Sequence, residues 1–593
     1  GGTFVDKETR VFLGARRLAV IDLPGGHQPM IAADGDLVVV FNGEIYNHLT
    51  LRKSLEECGF QFVSDRSDTE VLLHGYRLWG DALPEKLNGM FAFAIYDRAR
   101  RRVFLARDRF GEKPLYYAPQ SDGLIFGSDL SVIRAHESIS GTLNPEGLRK
   151  YFAYGFFPAP ATVYKGVHKL PHGHSMTIDA TSGMVKTKAY WRYALDPTPT
   201  LRKETDLVEE LRHLLSQAVK RRLMSDVPIG VFLSGGIDSS AIAAYAANHL
   251  GAARLNTFCL GFNDVSYDES KFARALAEVI GCKHFETKLS LQQAINTLPR
   301  VLESLDEPIG DPSILPTYLL CRFARQKVTV ALGGDGGDEL FAGYDPFLAL
   351  RPARLYSALV PDRLHRMITR LMERQNRSDQ YMALDYKLRR ALRGLHYRSA
   401  SWNPAWLSPL EPDEISELFC APISAEELYA EAIEAWDASL SHSDIDRSQE
   451  FYANFYLPEA VLTKSDRASM MVSLEYRAPF LDNNLVEFAQ RLPVGMRLRK
   501  RNRKFLLKRA MRGILPDAVV QRRKKGFGIP LTRIVEKDFG HCQETARTIL
   551  NTDTMHRLRT QHMSGQKDQR LFLWCQMSLD SFGRRQPAAL SAT

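Results

Sequence analysis

Ser234-Gly-Gly-Ile-Asp-Ser-Ser240 follows the apolar run Val227-Pro-Ile-Gly-Val-Phe-Leu233. A buried strand that ends in a Ser/Gly loop and opens a helix is a phosphate cradle. The glycines let an anion approach the backbone, and the loop amides and helix N-terminus supply N–H donors and partial positive charge. Asp238 would repel phosphate, so its place here makes sense if it holds Mg²⁺ on a pyrophosphate. The Gly-Lys-Ser/Thr ending of a kinase-type P-loop is absent. The bland reading is a Ser/Gly turn before a helix. A second loop, Leu332-Gly-Gly-Asp-Gly-Gly-Asp-Glu-Leu-Phe-Ala-Gly-Tyr344, places Asp335, Asp338 and Glu339 within five residues. Such carboxylates suit metal binding or base work, or simply an acidic helix start.

Two more sets could do chemistry. Phe41-Asn-Gly-Glu-Ile-Tyr-Asn47 follows a strand-like run, and Asn42-Gly43 taken alone reads as a hairpin turn. Lys504 closes the basic run Arg497-Leu-Arg-Lys-Arg-Asn-Arg-Lys504. It is either a cation for a charged transition state or one more residue on a solvated face.

The elements that must position these groups fall into two patterns. Residues 1–130 are β-rich: Val11–Val20, Asp36–Phe41, Phe91–Asp97, Arg102–Asp108 and Leu124–Gly127 are strand-like. Turn signals at Pro24-Gly25-Gly26 and Asp122-Gly123 separate strands, and helical stretches at 48–58 and 68–79 lie between them. In a connecting region at about 140–205, prolines such as those in Tyr154-Gly-Phe-Phe-Pro-Ala-Pro160 and Asp196-Pro-Thr-Pro199 discourage regular structure.

From 206 the chain alternates helix and strand: helix 206–223, strand 229–233, helix 238–250, strand 255–261, helix 269–281, strand 284–289, helix 291–304 and strand Val328–Leu332. That rhythm predicts a doubly wound parallel sheet with ligands at the carboxyl ends of its strands, where both Gly-rich loops fall. Residues after about 345 read as helical, and Gln586–Thr593 as a disordered tail.

At 593 residues the chain is long enough for two to four domains. It is 45% hydrophobic and 25% charged, and it lacks a run of the ~20 apolar residues a membrane span needs. Seven scattered cysteines (58, 259, 282, 321, 420, 542, 575) without CxxC spacing point to reduced thiols in a cytoplasmic protein and to no structural zinc. The net charge of +9 and the late runs, including Arg522-Arg-Lys-Lys525, fit a phosphate-rich small substrate or a solvated face better than nucleic acid.

Ser-Gly-Gly-x-Asp-Ser resembles the PP-loop of ATP pyrophosphatases. Together with Gly333–Tyr344, Lys464-Ser-Asp-Arg-Ala-Ser-Met470 and Leu474-Glu-Tyr-Arg-Ala-Pro-Phe-Leu-Asp482 it makes the chain resemble, over nearly its whole length, the glutamine-dependent asparagine synthetase family. The resemblance implies an α/β protein. Residues 1–190 would form an Ntn-type (class II) glutamine amidotransferase sandwich of β-sheets with helices, and 191–205 a linker. Residues 206–580 would form a doubly wound PP-loop ATP pyrophosphatase domain with a helical extension, and 581–593 a tail. It further implies that a carboxylate attacks the α-phosphate of ATP, that ammonia takes the acyl group, and that AMP and pyrophosphate leave.

By that analogy Leu233, Ser234, Gly235, Gly236, Asp238, Ser239, Ser240 and Gly334 bind ATP, and Asp238 and Asp338 hold Mg²⁺. Asp335 stands where many members have Glu, and would help deprotonate the attacking ammonia. Lys504 would neutralise charge growing on the α-phosphate, with Asp466 and Arg467 as buttresses. In the glutaminase half, Asn42 and Gly43 would form the oxyanion hole, and Arg17, Glu44 and Asp68 would join them in binding glutamine. The implied partners are small molecules (glutamine or ammonia, ATP, and aspartate or another carboxylate), with no nucleic acid and no membrane span, and a homodimer as an open possibility of assembly.

The family nucleophile is an N-terminal cysteine, whereas this chain begins Gly1-Gly2. About fifty residues of the family pattern are expected to precede it, and the polypeptide as given is expected to use ammonia rather than hydrolyse glutamine. Three alternatives stay open. The acceptor could be a sugar acid or another acid, as in an exosortase-associated bacterial group whose longer form matches Tyr151–Pro160. A ring-forming β-lactam-synthetase type would not need the Arg17/Asn42/Asp68 pocket. A non-catalytic scaffold would not need Asp238, Asp338 and Lys504.

Overall fold

The computed structural model of the chain describes residues 1–593 apart from 19, 23–24, 122, 197, 199–201, 374–383, 523–525, 539–548 and 585–593. Pro24, Asp122, Pro197, Pro199, Arg523–Lys525, Cys542 and the tail Gln586–Thr593, all named above, lie outside the described residues.

Strand Leu37–Ile45 is buried on both faces, and its alternation divides two cores. Leu37, Val39, Phe41 and Ile45 face helices His48–Glu57 and Asp68–Trp79. Val38 and Val40 face a second layer through Val11, Leu13 and Leu115. The strand belongs to a six-stranded antiparallel sheet in the order Val185–Ala189, His174–Asp179, Arg102–Arg107, Gly89–Asp97, Leu37–Ile45, Met30–Ile31. A two-stranded ribbon (Gly2–Asp6, Val11–Ala15) and a three-stranded sheet (Gly123–Gly127, Tyr116–Gln120, His168–Lys169) complete this half.

The segment 140–205 departs from expectation. It contains helix Pro145–Tyr154 and three strands, two of which finish the antiparallel sheet. Pro145 sits at the start of its helix, where a missing N–H does no harm. Past the last strand, Tyr193 and Leu195 are buried in the core of the second half, and the Leu195 amide donates to Glu450 (2.8 Å). Strand Val11–Ala15 is also shorter than the expected Val11–Val20.

Helix Glu204–Arg222 presents Leu207, Leu211 and Leu215, at i, i+4, i+8, to the second half's core. The parallel sheet there has the order Lys283–Leu289, Asn256–Phe262, Ile229–Phe232, Val330–Leu332, Glu475–Arg477. Helices including Ile237–Leu250, Ser270–Ile280, Leu291–Glu303 and Ile314–Ala324 connect and cover it. The strand order reverses between Ile229–Phe232 and Val330–Leu332, so a crevice opens at their carboxyl ends. Residues from 346 on are mainly helical, with a π-helical turn at Tyr452–Leu462. The last helix runs through Gly583, past the expected domain end at 580.

Candidate active site

The two Gly-rich loops face each other across that crevice. After Phe232, the Leu233 amide still donates to Phe258 (2.9 Å), and the chain then turns through Gly235 at φ +69° into helix Ile237–Leu250. A Cβ on Gly235 would lie 2.7 Å from the Cβ of Phe272, so only glycine fits. Ser239 Oγ accepts the Ser234 amide (3.2 Å) and lies 3.0 Å from Ser234 Oγ, which fixes the loop. Ser240 is buried, and its hydroxyl has no partner among the described residues. The opposite loop comes close: a Cβ on Gly334 would be 3.1 Å from the Cβ of Asp238, and one on Gly337 would be 2.8 Å from Asp238 Oδ1.

Lys504 joins the loops. It is 4% exposed, which rules out the solvated-run reading. Its Nζ lies 2.5 Å from Asp238 Oδ2 and 2.7 Å from Asp338 Oδ1. Burial pulls the Lys504 ammonium below the usual lysine range, and Asp238 opposes that. Its backbone is left-handed (φ +53°), a strained conformation for a residue with a side chain, at the start of helix Phe505–Met511. Asp335 Oδ2 accepts from Ser465 Oγ (2.7 Å) and Tyr476 OH (2.8 Å). Burial, then Asp335, push the Tyr476 phenol well above its usual range, so it stays a donor.

Among the described residues, His, Cys, Asp and Glu side chains form no group of three that could hold a metal. Asp238 Oδ1 is nevertheless buried with no hydrogen-bond partner. Two carboxylates and one orphaned oxygen fit a Mg²⁺ that takes its remaining ligands from phosphate oxygens and water.

The glutaminase candidates cluster on the other half. Asn42 and Gly43 are not a hairpin turn; they lie within strand Leu37–Ile45, opposite Ala92 and Phe91. Gly43 has φ +148°, and a Cβ there would fall 2.0 Å from Met90 O. Glu44 and Asp68 are both buried. Burial, then Glu475 and Asp68, raise the Glu44 carboxyl well above its usual range against the pull of Arg477 and Arg17. Burial also raises Asp68, whose Oδ2 accepts the Ile45 amide (3.1 Å). The Arg17 guanidinium donates to the carbonyls of Gly26 (2.8 Å), Asp22 (3.4 Å) and Ile21. These bonds fix the guanidinium and leave its Nε–H and one Nη2–H for a carboxylate.

Ser465, Tyr476 and Arg522 stand beside these groups although the sequence assigned none of them a role of its own. Ser465 and Tyr476 lie in motifs that carried the resemblance, but nothing in their spacing aims them at Asp335. Arg522 donates to Ser234 O (3.1 Å) and stacks on Phe272 at 3.9 Å, so one member of a basic run braces the loop 234–240. Lys464 is held by Asp311 (3.1 Å) and Ser313 (2.9 Å). Asp466 accepts from Lys113 (2.9 Å), and Arg467 bonds Asp306 (2.7 Å) and Tyr116 OH (3.1 Å). The Lys113–Asp466 and Tyr116–Arg467 contacts cross between the halves.

A family model described as asparagine synthase matches residues 210–582, and one described as a glutamine amidotransferase domain matches residues 1–191. The chain belongs to the asparagine synthase family. It is similar to asparagine synthetase (glutamine-hydrolyzing) 1 of Bacillus subtilis (strain 168), at 32% identity over 97% of this chain and 89% of that protein. Asparagine synthetase (glutamine-hydrolyzing) 3 of the same organism is 32% identical over 88% and 80%. A solved glutamine phosphoribosylpyrophosphate amidotransferase from B. subtilis aligns with 44% of this chain and 64% of its own, at 15% identity and a TM-score of 0.21, too little overlap to add to the family models. This asparagine-synthase-family chain is thus an amidotransferase of the ATP-dependent ligase type, with its glutamine-amidotransferase domain and its glycine-rich loops on separate sheets.

Proposed function

We propose that the chain activates L-aspartate as an acyl-adenylate and converts it to asparagine, releasing AMP and pyrophosphate. The observation that carries this reading is the buried Asp238–Lys504–Asp338 bridge between the two loops at the switch point of the sheet.

In this reading residues 206–580 adenylate and residues 1–190 supply nitrogen, with 191–205 between them. Loop 234–240 cradles the β- and γ-phosphates, and Leu233 and Gly334 border the nucleotide. A carboxylate oxygen of the acceptor attacks the α-phosphorus and pyrophosphate leaves. Lys504 then offers its charge to the α-phosphate as negative charge builds, where a dry setting makes that charge count most. Mg²⁺ held by Asp238 and Asp338 would neutralise the pyrophosphate. Asp335, kept in place by Ser465 and Tyr476, takes a proton from the attacking ammonia. One Asp carboxylate reaches less far than Glu, so Ser465 and Tyr476 determine where its free oxygen points. In the first half, Asn42 and the Gly43 N–H face a developing oxyanion, while Glu44, Asp68 and Arg17 bind the amino and carboxylate groups of glutamine.

Ammonium is supplied as the nitrogen source, so that the test reads residues 206–580 by themselves. With Mg-ATP, aspartate and ammonium, the chain is expected to form AMP, pyrophosphate and asparagine. Asp238→Ala is expected to lower that rate by about 10²-fold or more while the fold stays intact. Retained turnover in Asp238→Ala contradicts the role of Asp238. AMP formation that needs a different carboxylic acid moves the acceptor to a sugar acid or other acid.

A further inference from the structure

Helix Asp362–Glu373 has a divided outer surface. Its inner side is anchored by buried His365, whose Nδ1 lies 3.2 Å from Tyr356 OH. Outward it presents Leu364, Met367 and Leu371 at i, i+3, i+7, which are 41%, 53% and 55% exposed. One residue earlier at each step stand Arg363, Arg366 and Arg370, all exposed. Among the described residues these arginines form no ion pair with a carboxylate. The packed neighbouring helices Pro346–Leu359 and Leu384–Leu392 add exposed Leu355, Leu359 and Leu384 at 63%, 70% and 72%. Arg354 and Lys387 nearby are paired with Asp444 and Asp345, so the cations this face presents are Arg363, Arg366 and Arg370.

We infer that this helical layer docks onto the surface of an anionic phospholipid bilayer. A leucine row beside an arginine row is the arrangement by which an interfacial helix puts apolar side chains below the headgroups and its cations among the phosphates. Self-association fits less well, because a two-fold copy lays the same patch on itself and sets arginines against arginines. A nucleic acid would meet the arginines but leave the leucine row in water. Among the described residues no helix is long and apolar enough to cross a membrane, so the contact is peripheral.

The test is co-sedimentation of the full chain with vesicles of phosphatidylcholine alone or mixed with phosphatidylglycerol. The protein is expected to sediment with the anionic vesicles and to be released by salt. The Arg363→Gln/Arg366→Gln/Arg370→Gln triple variant is expected to bind roughly a hundred-fold more weakly. Met367→Glu/Leu371→Glu is expected to lose binding with an unchanged melting temperature and unchanged ATP cleavage, which separates this inference from the proposed reaction. Absence of sedimentation, equal binding to pure phosphatidylcholine, unchanged binding in either variant, or a solution dimer that Met367→Glu/Leu371→Glu dissolves would each overturn it.

Discussion

Lys504 sits between two aspartates from different loops, so three side chains distant in sequence share one electrostatic balance. Removing any one leaves a partly buried charge without its counterpart, and such losses are larger than the net worth of the intact pair. A second residue-scale effect lies at Glu112. Burial, then Asp108, push this carboxyl up to about 8, against Arg222 and Lys113, with Asp335 also raising it. The folded protein thus keeps a proton that the unfolded chain gives up near 4.5, so stability falls as pH rises from about 4.5 through about 8. Glu112→Gln is expected to remove that slope. In melting curves its advantage over the parent grows across this window and levels off above it; parallel pH dependence for the two proteins would refute the assignment. The sequence exposed Asp238 and Asp338 because glycine-rich loops mark themselves. It left Lys504 ambiguous because burial is not visible in a basic run.

At the scale of elements, the glycine-rich loops were legible because a strand, a glycine turn and a helix announce themselves in order. The strand Glu475–Arg477 was not, because two of its three residues are charged. They satisfy each other within the strand, Arg477 Nε donating to Glu475 at 2.7 Å, so the usual apolar signal of a parallel strand is missing. The segment 140–205 was misjudged because its described prolines fall at a helix start and in loops rather than inside elements. Asn42-Gly43 carried a turn signal, but Gly43 is required by close packing inside a sheet. Gly43→Ala would put a Cβ 2.0 Å from Met90 O at φ +148°. It is expected to destabilise the N-terminal half by about 2–4 kcal/mol. Thermal unfolding reads this, and a loss below about 0.5 kcal/mol would show that the strand has room to shift.

Over the whole molecule, the two halves are joined by buried polar contacts. Lys169 reaches Glu307 (2.9 Å) and Glu459 (3.0 Å), Asn88 donates to Asp482 (3.1 Å), and Arg222 lies 4.4 Å over the Tyr46 ring while pairing Asp482 at 2.9 Å. Burial raises Glu307 to about 7 even with Lys169 beside it. Lys169→Met would strand two buried carboxylates at this junction and is expected to cost about 3–5 kcal/mol. Denaturant unfolding that shows less than about 1 kcal/mol would mean that the Lys169 bridges add little to the junction. This junction could not be read from sequence, since its partners are separated by more than a hundred residues. The central claim is adenylation of a side-chain carboxylate, and the most direct measurement uses aspartate labelled with ¹⁸O in that carboxylate, with Mg-ATP and ammonium. The account predicts asparagine together with AMP that carries one ¹⁸O. Label in inorganic phosphate, with ADP as the nucleotide product, would contradict it.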